Sequence, residues 1–273
     1  MQHSVEFDRR TEKVTVTSYN PADIWTDWKG KDERWLFMSP HDDDIVCGCG
    51  ITFLASLACG VETFAGVVTN GKMGYCRDEH RHTIADIRQK ECTDSFRMLG
   101  LSDDHLFFLG FDDGSLYQQA GRRFAGPNVS GPELMGATGL QNSFTWLVRK
   151  VRPTRLFVPT ITDLHSDHKM TNSEMMISIF HASGNIWPEL GEPIAAVPLL
   201  YEYATYSNFT TPPQLRIRVS QEIFEKKINA LLAYKSQEQI EQMIKLQRQT
   251  GPKEFIREVR FDIFQPEECN KLF

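Results

Sequence analysis

Two short clusters of ionisable residues, far apart in the chain, have the composition of a single reaction centre. The first is Ser39-Pro40-His41-Asp42-Asp43-Asp44 and the second is His165-Ser166-Asp167-His168. His41 and Asp44 are three residues apart on a tight turn, so both side chains can converge on one ion. His168 is the natural third ligand. Zinc in hydrolases is commonly held by three His or carboxylate ligands, with a position left for water. The metal lowers the pKa of that water to roughly 7 and polarises a carbonyl. Asp43, beside the ligand Asp44, could take the proton as water attacks and later hand it to a leaving amine. His165 could donate a hydrogen bond to the oxyanion of a tetrahedral intermediate. Asp167 could orient a histidine, because a metal-bound His usually donates its free N–H to a carboxylate or carbonyl. Each cluster alone has a plainer meaning: the acids of the first would also cap a helix N-terminus. Together, each directly after an expected strand, they favour a metal site.

The elements around the clusters explain how they would meet. Arg34–Ser39 reads as a buried strand, followed by a helix from about Val46 to Cys59 that Gly60 stops. Further strands are expected at Glu62–Thr69, His105–Leu109, Arg155–Pro159 and Leu199–Tyr203. Helices are expected over Thr83–Leu99, with Arg88 and Glu91 spaced to pair on its surface, over Ser143–Val151, and from Thr171 onward. Ser220 reads as the N-cap of another, Gln239–Gln249 continues helically, and Phe255–Phe264 reads as a last strand or packed tail. Strands alternating with helices imply an α/β fold, a mainly parallel Rossmann-like sheet with helices on both faces. In such sheets sites gather at the C-terminal strand ends. Asn70-Gly71-Lys72-Met73-Gly74 and Gly110-Phe111-Asp112-Asp113-Gly114 leave other strands and should border the same crevice. Residues 115–139, with five Gly and two Pro, read as a long loop of the kind that often serves as a lid. Residues 1–33, with Lys13–Thr17 as a short strand, read as a lead-in packed on a single domain over 34–273.

Composition bounds the alternatives. The chain has 273 residues, is 41% hydrophobic and 24% charged, and carries a net charge of -6, which is ordinary for a soluble globular protein and argues against a general nucleic-acid binder. No apolar run approaches the roughly 18–20 residues of a membrane span, and the first ten residues lack a signal-peptide core, so the cytoplasm is the expected location. The six cysteines show no C-x-x-C spacing and read as free thiols. Cys47 and Cys49 read as buried small residues rather than ligands. No G-x-S-x-G elbow is present, which sets a serine hydrolase aside.

The two clusters resemble the PIG-L/LmbE family of zinc-dependent N-deacetylases. The family's His-Pro-Asp-Asp motif with its small Gly-rich turn appears as His41-Asp42-Asp43-Asp44 and Gly48-Cys49-Gly50, and its His-x-x-His motif as His165 to His168. Weaker similarities are Thr69–Gly74, Arg88-x-x-Glu91, Leu99-Gly100-Leu101, Phe108–Gly114, and Lys227-x-x-Ala230-Leu231 running to Ser236-Gln237. They span about residues 34 to 240. The resemblance implies His41, Asp44 and His168 as metal ligands, Asp43 as general base and His165 as oxyanion donor. It further implies Zn2+ as cofactor and an N-acetylglucosamine-type small molecule as substrate, whether lipid-linked, inositol-linked, thiol-conjugated or free. Fe2+ stays possible, since two His and one carboxylate also hold ferrous iron.

One departure concerns the family's Pro, which is Asp42 here. Pro would stiffen the turn; Asp42 could keep it through side-chain hydrogen bonds, and it is the fallback for the base. Asp113, Arg77 and Arg81 are candidates for substrate hydroxyls or charged groups at the rim, although the two arginines also read as a solvated face. Two alternatives stand beside the deacetylase: an amidase acting on a non-sugar amide, and a sugar-binding protein that keeps the fold without the chemistry. An oligomer is possible.

Overall fold

The computed structural model describes residues 4–261 and 266–272. In chain order the strands are β1 (Val5–Arg10), β2 (Thr15–Ser18), β3 (Arg34–Ser39), β4 (Glu62–Thr69), β5 (Leu106–Phe111), β6 (Arg123–Phe124), β7 (Ala137–Thr138), β8 (Arg155–Pro159), β9 (Leu199–Tyr203), β10 (Leu215–Val219) and β11 (Lys253–Val259). The helices are α1 (Asp44–Ala58), α2 (Ile84–Leu99), α3 (Leu140–Val151), α4 (Ser166–Ser183), α5 (Gln221–Leu231), α6 (Ile240–Thr250) and α7 (Pro266–Asn270). One sheet of nine strands runs in the order β2-β1-β10-β11-β9-β8-β3-β4-β5. Strands β5, β4, β3, β8 and β9 are parallel. β11, β10, β1 and β2 extend the sheet by antiparallel pairing.

The parallel half places the two clusters side by side. β3 is followed in space by β4 on one side, while β8, on its other side, is followed by β9. The chain therefore winds away in opposite directions from the β3/β8 boundary, which opens a crevice above the carboxyl ends of those strands. His41 leaves β3 and His165 leaves β8, so both clusters border that crevice. Side chains alternate across β3: Trp35 and Phe37 pack into one apolar layer with α1, α2 and α5, and Leu36 and Met38 into the opposite layer with α3 and α4. Period-two alternation on a strand covered on both faces produces this near-continuous apolar run.

The strands expected at 34–39, 62–69, 155–159 and 199–203 stand at those bounds. The strand expected at His105–Leu109 runs Leu106–Phe111, and the last one runs Lys253–Val259; residues 262–264 of that expectation lie outside the described residues. β1 and β10 were not expected. They alternate apolar and charged residues, and several of the charges find partners across the sheet: Asp8 accepts from Arg216 Nε at 2.7 Å and Arg218 Nη2 at 3.0 Å. The 115–139 segment is a loop with a short 3-10 turn at Leu116–Gln119 and the small β6–β7 ribbon. α4 begins at Ser166 rather than Thr171, because the His165 side chain caps it. The Arg88–Glu91 pair does not form. Buried Asp42 takes Arg88, and Glu91 accepts instead from the Ser236 N–H and hydroxyl at 2.8 and 2.6 Å.

A buried charge network ties residues 24–33 to the sheet. Glu33, fully buried, accepts from Arg155 Nη2 at 2.9 Å, Trp35 Nε1 at 2.8 Å and Thr154 Oγ1 at 2.6 Å. Arg155 also donates to the Tyr201 hydroxyl at 2.8 Å and the Thr26 carbonyl at 2.7 Å. Glu33→Ala would leave the Arg155 guanidinium buried without its counter-charge, a loss of about 3–5 kcal/mol. Urea unfolding should show the midpoint lowered by that loss divided by the slope, with the slope unchanged.

Candidate metal centre and active site

The turn between β3 and α1 is fixed from several sides. The Tyr234 hydroxyl donates to the Asp42 carbonyl at 2.7 Å, and the Thr69 hydroxyl to the Pro40 carbonyl at 2.8 Å. The Ser39 hydroxyl donates to the His41 carbonyl and accepts from the Ile45 N–H. Asp44 Oδ2 accepts from the His41 N–H at 2.8 Å, which folds the turn so that the His41 ring and the Asp44 carboxylate face the same way.

Three donor atoms meet there. His41 Nδ1 and His168 Nε2 each lie 3.0 Å from Asp44 Oδ2, and 3.3 Å from one another. Metal bonds of about 2.0–2.1 Å at tetrahedral angles separate ligand atoms by about 3.3 Å. The triangle therefore has the dimensions of one face of a tetrahedral site. Asp44 Oδ1 is buried without a hydrogen-bond partner among the described residues, as expected of a carboxylate whose remaining lone pairs serve a cation. His165 brings a nitrogen within 4.8 Å of those of His41 and His168, so a cluster of three histidines could also hold a metal. The tighter set is His41, Asp44 and His168, since His165 Nδ1 already accepts the Asp167 N–H at 3.2 Å.

A second layer of carboxylates orients the rings. Asp167 Oδ2 lies 3.4 Å from His41 Nε2 and is itself held by the Gly114 N–H at 2.6 Å, while its Oδ1 accepts from the Leu116 N–H at 3.2 Å. Asp163 Oδ2 lies 3.2 Å from His168 Nδ1, off the line of an ideal hydrogen bond. Asp167 was legible as an orienting acid; Asp163 was not. These carboxylates concentrate negative potential on the centre. Burial pushes the His41 imidazole down, but Asp167 and Asp44 outweigh it and hold its pKa well above the ordinary value. Burial opposes charge on His168 too, yet Asp44 and Asp163 raise it to about 9. Burial likewise opposes ionisation of Asp44, and the two imidazoles more than reverse that, holding it well below the carboxylate range. The preference for positive charge at this point is the electrostatic counterpart of the donor triangle.

Beside the triangle is an open cleft of about 210 Å³, lined by His41, Asp43, Asp113, His165, Tyr206 and Gln237, with Met73, Gly74, Arg88, Gly114 and Gln239 completing it. Asp43 is buried, and its Oδ2 accepts from Gln237 Nε2 at 2.6 Å. Gln237 is set in turn by Gln239, whose Nε2 donates to its Oε1 at 3.0 Å. Asp113 Oδ1 accepts the Met73 N–H at 2.8 Å, which ties the loop after β4 to the end of β5. Burial and the nearby His41 lower the His165 pKa, which favours the neutral ring.

Asp42 faces away from the triangle. It is buried and accepts from Arg88 Nε at 2.8 Å and Nη2 at 2.5 Å. Burial raises its carboxyl, Arg88 opposes the rise, and the pKa is pushed up to about 6. The acid standing where the family motif has Pro thus fixes Arg88, whose Nη2 is 4.0 Å from Asp43 Oδ1. Arg77 and Arg81 do not line the cleft: Arg77 donates to Glu238 at 3.1 Å with both side chains exposed, and Arg81 is exposed. Gln237, Gln239 and Tyr206 are cleft residues to which the sequence pointed no site role, and Arg88, expected on the helix surface, lines the cleft as well. Cys47 and Cys49 are buried, and all six thiols are free. No helix among the described residues is long and apolar enough to cross a membrane.

Comparison with known proteins gives a consistent pattern. The family model described as PIG-L, GlcNAc-PI de-N-acetylase, matches residues 36–179. No curated protein matches the chain. Among solved structures, the N,N'-diacetylchitobiose deacetylase of Pyrococcus horikoshii is similar over 84% of this chain and 85% of its own, with 22% identity and a TM-score of 0.65. The conserved protein TT1542 of Thermus thermophilus covers 86% and 98%, at 24% identity and a TM-score of 0.63. GalB, the 4-carboxy-2-hydroxymuconate hydratase of Pseudomonas putida, covers 85% and 98%, at 16% identity and a TM-score of 0.62. At these identities the structures speak for a shared fold.

Proposed function

The chain belongs to the PIG-L family, and from that premise we propose that it is a zinc-dependent hydrolase that removes an N-acyl group, most simply acetyl, from an amino-sugar-like small molecule. The observation that carries this reading is the donor triangle of His41, Asp44 and His168 opening on a cleft that Asp43 and His165 also line. The donor set suits zinc and also ferrous iron; hydrolytic chemistry favours zinc. Bound there, the metal supplies a water of lowered pKa as nucleophile and polarises the amide carbonyl.

The protein's own groups do the rest. Gln237 ties down one oxygen of Asp43, which leaves the other to take the proton from the attacking water and return it to the departing amine. Asp42 is a poor base because Arg88 occupies its carboxylate. His165 acts through its tautomer. Its Nδ1 accepts a backbone N–H at the start of α4, so in the neutral ring the proton sits on Nε2 and can be donated to the oxyanion. Asp113 keeps one oxygen for substrate hydroxyls while the other holds the Met73 N–H. Arg77 and Arg81, outside the cleft, would reach only a conjugate that extends past the rim. Tyr206, which lines the cleft and is half exposed, offers a ring face to a sugar.

The test is metal content together with amine release from N-acetylglucosamine and a panel of its conjugates, before and after chelation. Expected are about one zinc per chain, release from at least one member of the panel, and loss of that release on chelation with recovery on zinc addition. Zinc without release from any sugar would turn the search to non-sugar amides. Absence of metal after reconstitution would leave the sugar-binding alternative as the better reading.

A further inference from the structure

Helix α1 is broken one turn after Asp44. Cys49 leaves helical geometry at φ −144° and ψ 25°, and side chains from the C-terminal part of the chain replace the ladder around it. In an unbroken helix the N–H groups of Ile51 and Thr52 would bond the carbonyls of Cys47 and Gly48. Both donate instead to Glu254, at 2.9 Å to Oε1 and 2.8 Å to Oε2, and the Thr52 hydroxyl adds a bond of 3.0 Å. The Cys47 carbonyl accepts from Lys227 Nζ at 3.0 Å and Gln247 Nε2 at 3.1 Å. Lys227 Nζ closes the network, donating to Glu254 Oε1 and Gln247 Oε1 at 2.7 Å each. Close packing accompanies the break: a Cβ on Gly48 would stand 2.7 Å from Tyr203 Cδ2, and one on Gly50 3.2 Å from Lys227 Cγ. The first turn of α1 is therefore a short helix of its own. Its last carbonyls meet an ammonium, and the N–H groups of the following segment meet a carboxylate, each the favourable sign for that helix end.

Both charged groups are buried, Lys227 fully. A buried ion pair contributes little net stability compared with apolar residues of the same volume, so its place here is better explained by the geometry it fixes. We propose that Lys227 and Glu254 are positioning residues for the metal half-site. They hold the first turn of α1, and with it the Asp44 carboxylate, at the angle that meets His168. This rests on the metal-centre reading above. Both residues lie outside the 36–179 span of the family match, so the C-terminal elements α5 and β11 set the geometry of a ligand near the N-terminus.

The experiment compares Lys227→Met, Glu254→Gln and their double variant with the unchanged chain. The readouts are zinc affinity by chelator competition, amide hydrogen exchange over residues 44–48, and thermal unfolding. In the double variant zinc should bind at least about tenfold more weakly, the size of effect seen when a ligand loses its orienting partner. Exchange over 44–48 should speed up while β3 and β4 keep their protection. A folded double variant with unchanged zinc affinity and unchanged exchange overturns the proposal. If the unchanged chain binds no zinc, the metal reading fails by itself, and exchange alone decides: faster exchange over 44–48 supports the clamp and unchanged exchange overturns it. Where the buried-charge variants do not fold, Gln247→Leu removes one donor to the Cys47 carbonyl and no charge. It should give a smaller change in the same direction, and no change in either readout would overturn the clamp.

Discussion

Asp43→Asn is expected to lower kcat/KM by about 10²–10⁴-fold, or ~3–5 kcal/mol of transition-state stabilisation, with zinc content and unfolding midpoint close to those of the unchanged chain. The substitution is chosen to isolate the proton. An Asn carbonyl oxygen can still accept the Gln237 Nε2–H that Asp43 Oδ2 receives at 2.6 Å, so the side chain keeps its place while losing its basicity. Asp43 is also not one of the three atoms that meet at 3.0–3.3 Å, so the metal should stay. Steady-state kinetics on the best acetylated substrate, with metal analysis of the same preparation, make the check. Near-normal turnover would remove Asp43 from the reaction, and zinc loss in parallel with activity would make it a ligand or a support of one.

The parts of this site that were legible in the sequence are those whose signal is local. Four strands of the parallel half stand at their expected bounds because each is a short apolar run closed by polar or small residues, and burial on both faces makes that run unambiguous. His41, Asp43, Asp44, His165 and His168 could be picked out because each cluster directly follows such a strand. The residues that were missed act across distance. Arg88 reaches Asp42, Gln237 reaches Asp43, and Glu254 reaches the break in α1, and no periodicity links positions so far apart. Local reasoning even misdirected Arg88 toward Glu91, because helical spacing favours a weak exposed pair and carries no information about a buried carboxylate waiting on another element. β1 and β10 escaped for a related reason. Their charged residues look like loop residues until Asp8 is seen between Arg216 and Arg218 on the neighbouring strand.

Asp44→Asn should be the most damaging change to the metal centre, lowering zinc affinity by more than about 100-fold, whereas Asp163→Asn should lower it by about 10–100-fold, the range of an orienting partner. The two carboxylates are near neighbours of the same ring: Asp44 lies 3.0 Å from His168 Nε2, and Asp163 lies 3.2 Å from His168 Nδ1. Their positions differ in kind. Asp44 Oδ2 is within 3.0 Å of both imidazole nitrogens that face the centre, so an amide there removes a donor together with the charge that sits directly between the rings. Asp163 meets the far side of one ring and acts on the metal through that ring, by its orientation, its proton and the negative potential behind it. Chelator-competition titrations on the two variants should therefore separate clearly, with Asp44→Asn losing activity at any practical zinc concentration and Asp163→Asn regaining it as zinc is raised. Equal losses would mean that Asp44 serves to hold the rings rather than the metal, and would return the three-histidine cluster of His41, His165 and His168 as the better ligand set.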